Sequence, residues 1–333
     1  MTDTALSPQE LEARIAGVRE RIDALRREIE RSYLGNTEVV DLLLYALLAG
    51  GHALLEGAPG LGKTTLVKGL ALALDLSFQR IQFTPDLMPA DILGARILED
   101  TAEGGHVFRF ERGPLFANVV LADEINRGTP RTQSALLEAM QERQITAHGE
   151  TWKLPEPFCV IATQNPIEME GTYPLPEAQL DRFLCRIELA APSQRDLVRV
   201  LEATIGPPRP PTRSVLSAED LLEIRALVRE VPASSDEVGR VARLVRATDP
   251  ANESAPESVK RLLRYGASPR GGQAILLLAK ARALLKGRPW VAGEDVDAVC
   301  FPALRHRLVF GYEGEASGVH ADELVREALA SAG

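Results

Sequence analysis

The stretch Gly57-Ala58-Pro59-Gly60-Leu61-Gly62-Lys63-Thr64 constrains this chain more than any other. It fits G-x-x-x-x-G-K-[ST], a loop that cradles phosphate groups. Gly60 and Gly62 lack Cβ, so the loop can curl tightly and turn its backbone N–H groups inward. Lys63 supplies a point charge for the β- and γ-phosphates, and the Thr64 hydroxyl is a natural Mg2+ ligand. The flanks agree with this reading. Residues 52–56 (HALLE) read as a short buried strand entering the loop, and Thr65 to Leu74 as a helix leaving it. Bound phosphates would then sit at a helix N-terminus with its partial positive charge. The alternative is a Gly/Pro turn that happens to contain Lys-Thr; the strand before and helix after disfavour it.

With 333 residues the chain has room for about two domains. Hydrophobic residues make up 45%, which allows a full core and argues against disorder. The net charge of −9 speaks against a protein that coats nucleic acid. Cys159, Cys185 and Cys300 are far apart and form no C-x-x-C pair, so neither a disulfide framework nor a zinc site is expected. The first residues lack a basic region followed by an apolar core, so no secretory signal is expected. The most apolar run, Val39–Ala49, is too short to span a bilayer and carries Asp41. These features point to a chain with no membrane span and a cytoplasmic location.

Residues 8–33 read as one helix. Leu11, Ile15, Val18, Ile22, Leu25 and Ile29 form an a/d stripe among charged residues. The stripe could pair with a partner helix; packing on its own chain is the favoured reading. Val39–Leu48 predicts a second, buried helix. Gln79–Phe83 predicts the second strand, and Asp91–Arg96 a short helical piece. Arg96–Leu98 and Val107–Phe110 flank Glu103-Gly104-Gly105, a hairpin signal. Val119–Ala122 is an uninterrupted apolar run, as a central parallel strand requires, and it ends in Asp123-Glu124. Pro130 opens a helix through about Arg143. Gln144–Ala147 and Thr151–Leu154 flank His148-Gly149, a second hairpin. Phe158–Thr163 predicts another buried strand, Leu175–Leu184 a mostly helical segment and Cys185–Leu189 a last strand.

The expected fold is therefore α/β, a parallel sheet with two β-hairpin insertions, followed by a small all-α domain. The expected organisation is an N-terminal helix at 1–33, a nucleotide-binding α/β domain at 34–192, a Pro-rich linker at 193–216 and the all-α part at 217–333. The clearest linker signal is 206–213 (GPPRPPTR). Helices are expected at 217–230, 235–248, 256–264, 270–286 and 293–300.

The pair Asp123-Glu124 turns a nucleotide binder into a candidate hydrolase. Both acids sit at the carboxyl end of a buried strand, the edge where ligands bind in open α/β sheets. Asp123 would hold Mg2+, through water; Glu124 would orient and polarise the attacking water. Two surface acids capping a strand are the plain alternative. Asn165 lies at the same edge, one strand over, where a neutral amide can bridge the attacking water and the γ-phosphate; its plain role is to cap the turn before Pro166. Arg182 and Arg270 could stabilise charge in a transition state. From spacing alone, the favoured reading of each is a solvated helix charge among 38 Lys and Arg.

Longer blocks carry a resemblance. GHALLEGAPGLGKT (51–64), GPLFANVVLADEINRGTPRTQSALLEAMQERQIT (113–146), FCVIATQNPIEMEGTYPLPEAQLDRF (158–183) and SPRGG (268–272) resemble the MoxR family of AAA+ ATPases. The central block separates that family from the magnesium chelatase subunits and the replicative helicases. The resemblance covers about residues 34–310, leaving the first helix outside it.

The resemblance implies a P-loop AAA+ core with a lid, binding ATP and Mg2+. It implies a Walker A motif in Gly57, Ala58, Pro59, Gly60, Leu61, Gly62, Lys63 and Thr64, continued by Thr65. Asp123 and Glu124 would be Walker B, with Asp123 in the nucleotide site and Thr64 and Asp123 as the metal's residues. Asn165 would be sensor 1. Arg182 would be the arginine finger, reaching into the neighbouring subunit's site. Arg270 would be sensor 2, contacting the γ-phosphate of its own subunit. By register, Gln82 would fill a polar switch position that restrains Glu124. The hairpins at 96–110 and 144–154 resemble the helix-2 and pre-sensor-1 insertions, which face the pore or the partner. The implied assembly is a homo-oligomeric ring, usually a hexamer. The implied work is ATP-driven, chaperone-like remodelling of a protein client with a von Willebrand factor A domain partner; some members assist cofactor or metal insertion. Two other readings stand beside it, a nucleic-acid motor and a slow ATP-dependent binding switch. The acidic balance argues against the first, and intact Glu124 and Asn165 against the second.

Overall fold

The computed structural model describes residues 8–100, 106–147, 149–166, 171–206 and 210–333. The turn at Glu103-Gly104-Gly105, His148 at the second hairpin tip and positions 207–209 of the Pro-rich stretch lie outside these residues, as do 167–170 of the third matched block.

Helix α1 (Pro8–Ser32) turns its stripe inward: Ile15, Ile22, Leu25 and Ile29 are buried. It lies across α2 (Thr37–Leu48), which Asn36 caps through its side chain. Strand β1 (Ala53–Glu56) leads through the phosphate loop into α3 (Lys63–Ala73). Then come β2 (Phe78–Gln82) and the short α4 (Pro89–Leu93), which ends before Arg96 because the chain there joins a hairpin of β3 (Gly94–Asp100) and β4 (His106–Arg112). Strand β5 (Val119–Asp123) is followed by a 3-10 turn at Ile125–Arg127 and by α5 (Pro130–Glu142). Thr129 caps α5 by accepting from the Thr132 N–H. Strands β6 (Gln144–Ala147) and β7 (Glu150–Lys153) form the second hairpin. Strand β8 (Cys159–Gln164), α6 (Glu177–Leu180) and β9 (Cys185–Glu188) complete the α/β part.

The central sheet is five-stranded and parallel, in the order β2-β5-β8-β1-β9. Its inner strands are buried on both faces, which is why β5 and β8 read as unbroken apolar runs. The parallel register brings the ends of β1, β5 and β8 to one edge: Glu56 pairs with Gln164, and Ala122 with Ala162.

Segment 175–184, expected to be mostly helical, holds only the four-residue α6. The bonds Arg182 N–H to Gln179 O and Phe183 N–H to Leu180 O are of the tight i to i+3 kind, and they stop the helix so that Phe183 can drop into the core. The expected linker 193–216 begins instead with a helix, α7 (Gln194–Ile205). Ser193 caps it by accepting from the Asp196 N–H at 3.1 Å, and Leu197, Val198, Leu201 and Ile205 recur along it at helical spacing.

Beyond it lie α8 (Ala218–Glu230), α9 (Ser235–Ala247), α10 (Glu257–Leu262), α11 (Pro269–Leu285), α12 (Gly293–Leu304), α13 (Tyr312–Ser317) and α14 (Ala321–Ala332). This part is not all helical. Strands β10 (Leu263–Tyr265) and β11 (Val309–Phe310) form a small antiparallel pair where α10 was expected to run on to 264. The helical part does not stand off from the sheet. One continuous apolar cluster joins α1, α2 and α3 to α8, α11 and α12. A second core fills the other face, between β5, β8, α5 and the base of the hairpins.

Candidate functional site: a phosphate loop and an arginine cavity

At the carboxyl edge of the sheet the chain leaves β1 and turns sharply. Gly60 and Gly62 have φ of +83° and +76°, a region that strains any residue with a Cβ. The N–H groups of Gly60, Leu61 and Gly62 donate to no backbone carbonyl among the described residues. Gly62 caps α3 without any side chain, leaving the helix's first amides open toward the loop. Lys63 folds back, its Nζ donating to Gly57 O at 2.6 Å. Burial lowers the Lys63 pKa, while Asp123, Glu124 and Glu56 push it back up. The ammonium thus sits within electrostatic reach of both acids.

Those acids end β5. Asp123 Oδ1 accepts from Thr163 Oγ1 at 2.6 Å, and the same hydroxyl accepts from the Glu124 N–H at 2.8 Å. Glu124 has φ of +55°, rare for a residue with a side chain, which swings its carboxylate off the strand direction. Gln82 Nε2 donates to Glu124 Oε2 at 2.9 Å, and Arg127 Nε lies 3.0 Å from the same oxygen. The register argument for Gln82 therefore leads to a direct contact. Asn165 is buried one residue past β8, whose Gln164 carbonyl accepts from the Gly57 N–H at 3.3 Å. So Lys63, Asp123, Glu124 and Asn165 converge on one edge. Open amides at a helix start, a lysine and hydroxyl and carboxylate oxygens suit a polyphosphate carrying a hard divalent cation. Thr64 and Asp123 are the residues that would hold the cation.

Arg182 and Arg270 go elsewhere. Strand β9 runs parallel to β1, and the Leu184 N–H donates to His52 O, so residues 181–184 lie at the amino edge of the sheet. A cavity of about 320 Å³ opens there, lined by Arg143, Arg182, Arg229, Arg270 and Arg307, with Asp181 as its only acid among the described residues. Arg270 Nη1 is 3.6 Å from Asp181 Oδ2, and Ser268 Oγ donates to the same oxygen at 3.1 Å. The buried Arg307 clamps the floor, donating from Nε to Asp181 Oδ1 at 2.7 Å and from Nη2 to Phe183 O at 2.8 Å. Arg270 is therefore not brought to the phosphate loop of its own chain, the place expected of it. The cause is the docking of α11, whose apolar residues pack on α2 and α8 and carry its N-terminus to Asp181. Gly51 and Gly57 bracket β1, so the two sites lie about 20 Å apart along the strand.

Thr163, Arg80, Arg127 and Arg143 escaped the sequence reading. Thr163 left a signal, a hydroxyl ending an apolar strand run. Arg143, in the left-handed region at φ +52°, left none; it reaches the cavity because it closes α5 and donates to Gly50 O at 3.3 Å.

Fold and site together define an AAA-type nucleotide-binding core with a helical lid. Residues 52–185 match the family model for ATPases associated with various cellular activities (AAA), and residues 256–328 the model for the AAA lid domain. The chain is 42% identical to Chaperone MoxR1 of Mycobacterium tuberculosis over 91% of this chain and 79% of that protein. It is 41% identical to YeaC of Bacillus subtilis over 91% of each. A crystal structure of a putative ATPase from Cytophaga hutchinsonii superposes with a TM-score of 0.89 at 38% identity, covering 97% of this chain and 96% of that one. The chain belongs to the MoxR family of AAA+ ATPases. Among the described residues no helix is long and apolar enough to cross a membrane.

Proposed function

We propose that the protein hydrolyses ATP at composite sites between subunits of a homo-oligomeric ring, a hexamer, and uses the cycle to remodel a protein client. One observation carries this reading. The phosphate loop and its acids occupy one edge of the sheet, whereas the arginines that would meet γ-phosphate charge occupy the other. A single copy holds two half-sites; a head-to-tail contact joins them, and such contacts close into rings.

In this reading Lys63 exchanges Gly57 O for the β- and γ-phosphates, and the amides of Gly60 to Gly62 take the remaining phosphate oxygens. Thr64 and Asp123 would hold Mg2+, which when bound would neutralise negative charge on the phosphate oxygens. Glu124, once free of Gln82, orients the attacking water, and Asn165 holds that water toward the γ-phosphate. Arg182 and Arg270 of the neighbouring copy then stabilise the charge that develops in transfer. Arg270 thus acts beside Arg182 and across the interface.

The name of the mycobacterial relative, Chaperone MoxR1, supports chaperone work. The net charge of −9 favours a protein client over nucleic acid. The family resemblance adds a von Willebrand factor A domain partner. The test is ATP hydrolysis per subunit followed across the concentration at which the ring assembles. Specific activity should rise with assembly. A monomer as active as the ring would overturn the composite site.

A further inference from the structure

The Walker acids are tied to a residue outside both motifs. Arg80 lies on β2, in register with Leu121 of β5, with its side chain about half exposed. Its Nε and Nη2 donate to Asp123 Oδ2 at 3.0 and 2.5 Å. The same Nη2 donates to Gln82 Oε1 at 2.7 Å. Since that oxygen is taken, Gln82 has its NH2 turned to Glu124, donating to Oε2 at 2.9 Å. One guanidinium therefore links the acid expected to face the cation to the acid expected to face the water.

The two oxygens of Asp123 are not equally available. Oδ1 belongs to Thr163, a buried hydroxyl that also accepts from the Glu124 N–H. Oδ2 is held by a long, solvent-facing side chain. The more open oxygen for a hard cation, or the water it carries, is the one that Arg80 holds. That contact rests on a half-exposed side chain, whereas Oδ1 is bonded to a buried hydroxyl, so the Arg80 contact is the one that yields.

We propose that Arg80 is a positioning residue that couples arrival of the divalent cation at Asp123 to release of Glu124. With Mg2+ absent, Arg80 neutralises Asp123 and orients Gln82, and Gln82 keeps Glu124 aside. When Arg80 leaves Oδ2, Gln82 loses the contact that orients its amide, and Glu124 Oε2 is released from Gln82, keeping only Arg127 Nε beside it at 3.0 Å. Cation binding and water activation are thereby ordered through one side chain. This rests on the reading of Asp123 as a cation-holding residue given above.

The test uses the full chain and a fluorescent ADP, with no hydrolysis step. Its affinity is measured in excess Mg2+ and again in EDTA, and the ratio of the two is compared between variants. The ratio cancels any general effect of a lost positive charge on nucleotide binding. Removing a competing exposed cation should raise the ratio about fivefold in Arg80→Gln. Arg80→Lys, which keeps the charge but not the fork, should stay within about twofold of wild type. Gln82→Leu, which leaves the Arg80–Asp123 pair intact, should not change the ratio. Thermal midpoints in EDTA check that each variant is folded. An unchanged or lower ratio in Arg80→Gln, with wild-type binding strengthened by Mg2+, overturns the inference alone. An equal rise in Gln82→Leu overturns it too, by moving the resistance to Gln82. A wild-type chain indifferent to Mg2+ would overturn the reading of Asp123 as well.

Discussion

The two edges of the central sheet differ in kind. The carboxyl edge is acidic and preorganised: Asp123 and Glu124 share the Thr163 hydroxyl, and Lys63 waits on a backbone carbonyl. The amino edge is cationic, with five arginines around a cavity that holds one acid. Unbalanced guanidinium groups repel one another, so an arrangement of this kind calls for an anion. Under the reading proposed above, each edge is half of a site whose other half belongs to another copy. It also explains why Asp181 matters: it receives Arg307, Arg270 and Ser268, fixing the cavity floor, while Arg182 makes no ion pair among the described residues.

The sharpest way to break this comparison is to damage the edges separately and then mix them. Lys63→Ala should lose nucleotide binding, and Arg182→Ala should lose hydrolysis by about a thousandfold while still binding nucleotide. A mixed ring pairs the sound phosphate loop of one variant with the sound arginine of the other. With random equal mixing about a quarter of interfaces combine both intact halves, so activity should return. If subunit exchange is shown with a labelled copy and activity stays at background, Arg182 works within its own chain.

Next in size is Glu124→Gln, which should keep nucleotide affinity and cut hydrolysis by about 10²–10³-fold. It isolates the acidic edge, since the amino edge is untouched. Hydrolysis near the wild-type rate would remove Glu124 from the role of water-orienting residue.

The acidic edge was legible because its chemistry demands residue types at short spacing. A loop needing two positive-φ glycines, a lysine and a hydroxyl leaves a pattern within eight residues, and a buried strand ending in two acids leaves another. The cationic edge was not legible by spacing. Arg143, Arg182, Arg229, Arg270 and Arg307 come from five separate segments, and only helix docking makes them neighbours. Resemblance supplied Arg182 and Arg270 and expected Arg270 at the phosphate loop of its own chain; it lies beside Asp181 instead, because the direction in which α11 docks is decided by packing on α2 and α8 rather than by any local signal. For the same reason α7 went unseen: its neighbouring Pro cluster spoke for a linker, although Ser193 and a helical apolar spacing stood beside it.

The edges should also differ in their response to acid. His52 is buried at the amino edge, where its Nδ1 accepts from the Val160 N–H at 2.9 Å and its Nε2 bonds Met140 O at 3.2 Å. Burial depresses its pKa from 6.5 to about 4. His306, bonded to Phe183 O at 3.0 Å, is lowered well below its ordinary value, again by burial. A depressed histidine pKa means that the unfolded chain binds the proton first. The stability from the neutral ring is complete above pH 6.5 and is lost as pH falls toward 4, up to about 3 kcal/mol for His52. Protection factors, which divide out the slower intrinsic exchange at lower pH, should therefore fall first around residues 50–52 and 183–184 between pH 7 and 5. His52→Gln, uncharged throughout, should flatten that fall. Protection lost first in β5 and α3 would reverse the order.

The smallest expected effect concerns the hairpins, which belong to neither edge but begin at one. Arg143 lines the cavity and directly precedes β6. The β6–β7 hairpin is tied to β3–β4 by a stack of Phe110 on Trp152, with centroids 4.0 Å apart and planes 9° from parallel, and by Arg96 to Glu150 at 3.0 Å. The two hairpins are thus fastened to each other, and they present Leu98, Val107 and Phe108 to solvent. Exposed apolar groups on braced hairpins suit contact with a protein client, and among the described residues no hydrogen bond or ion pair joins them to the phosphate loop or its acids. Replacing Leu98 and Phe108 by serine should leave nucleotide affinity unchanged and basal hydrolysis within about a factor of three. Any larger effect of the variant should appear only when a client loads the ring. Trp152→Ala, which cuts the tie between hairpins, separates the alternatives further. If basal hydrolysis falls tenfold or more in Trp152→Ala while Leu98 and Phe108 variants stay near wild type, the hairpins brace the arginine edge itself, and Arg143 is the residue through which they do so.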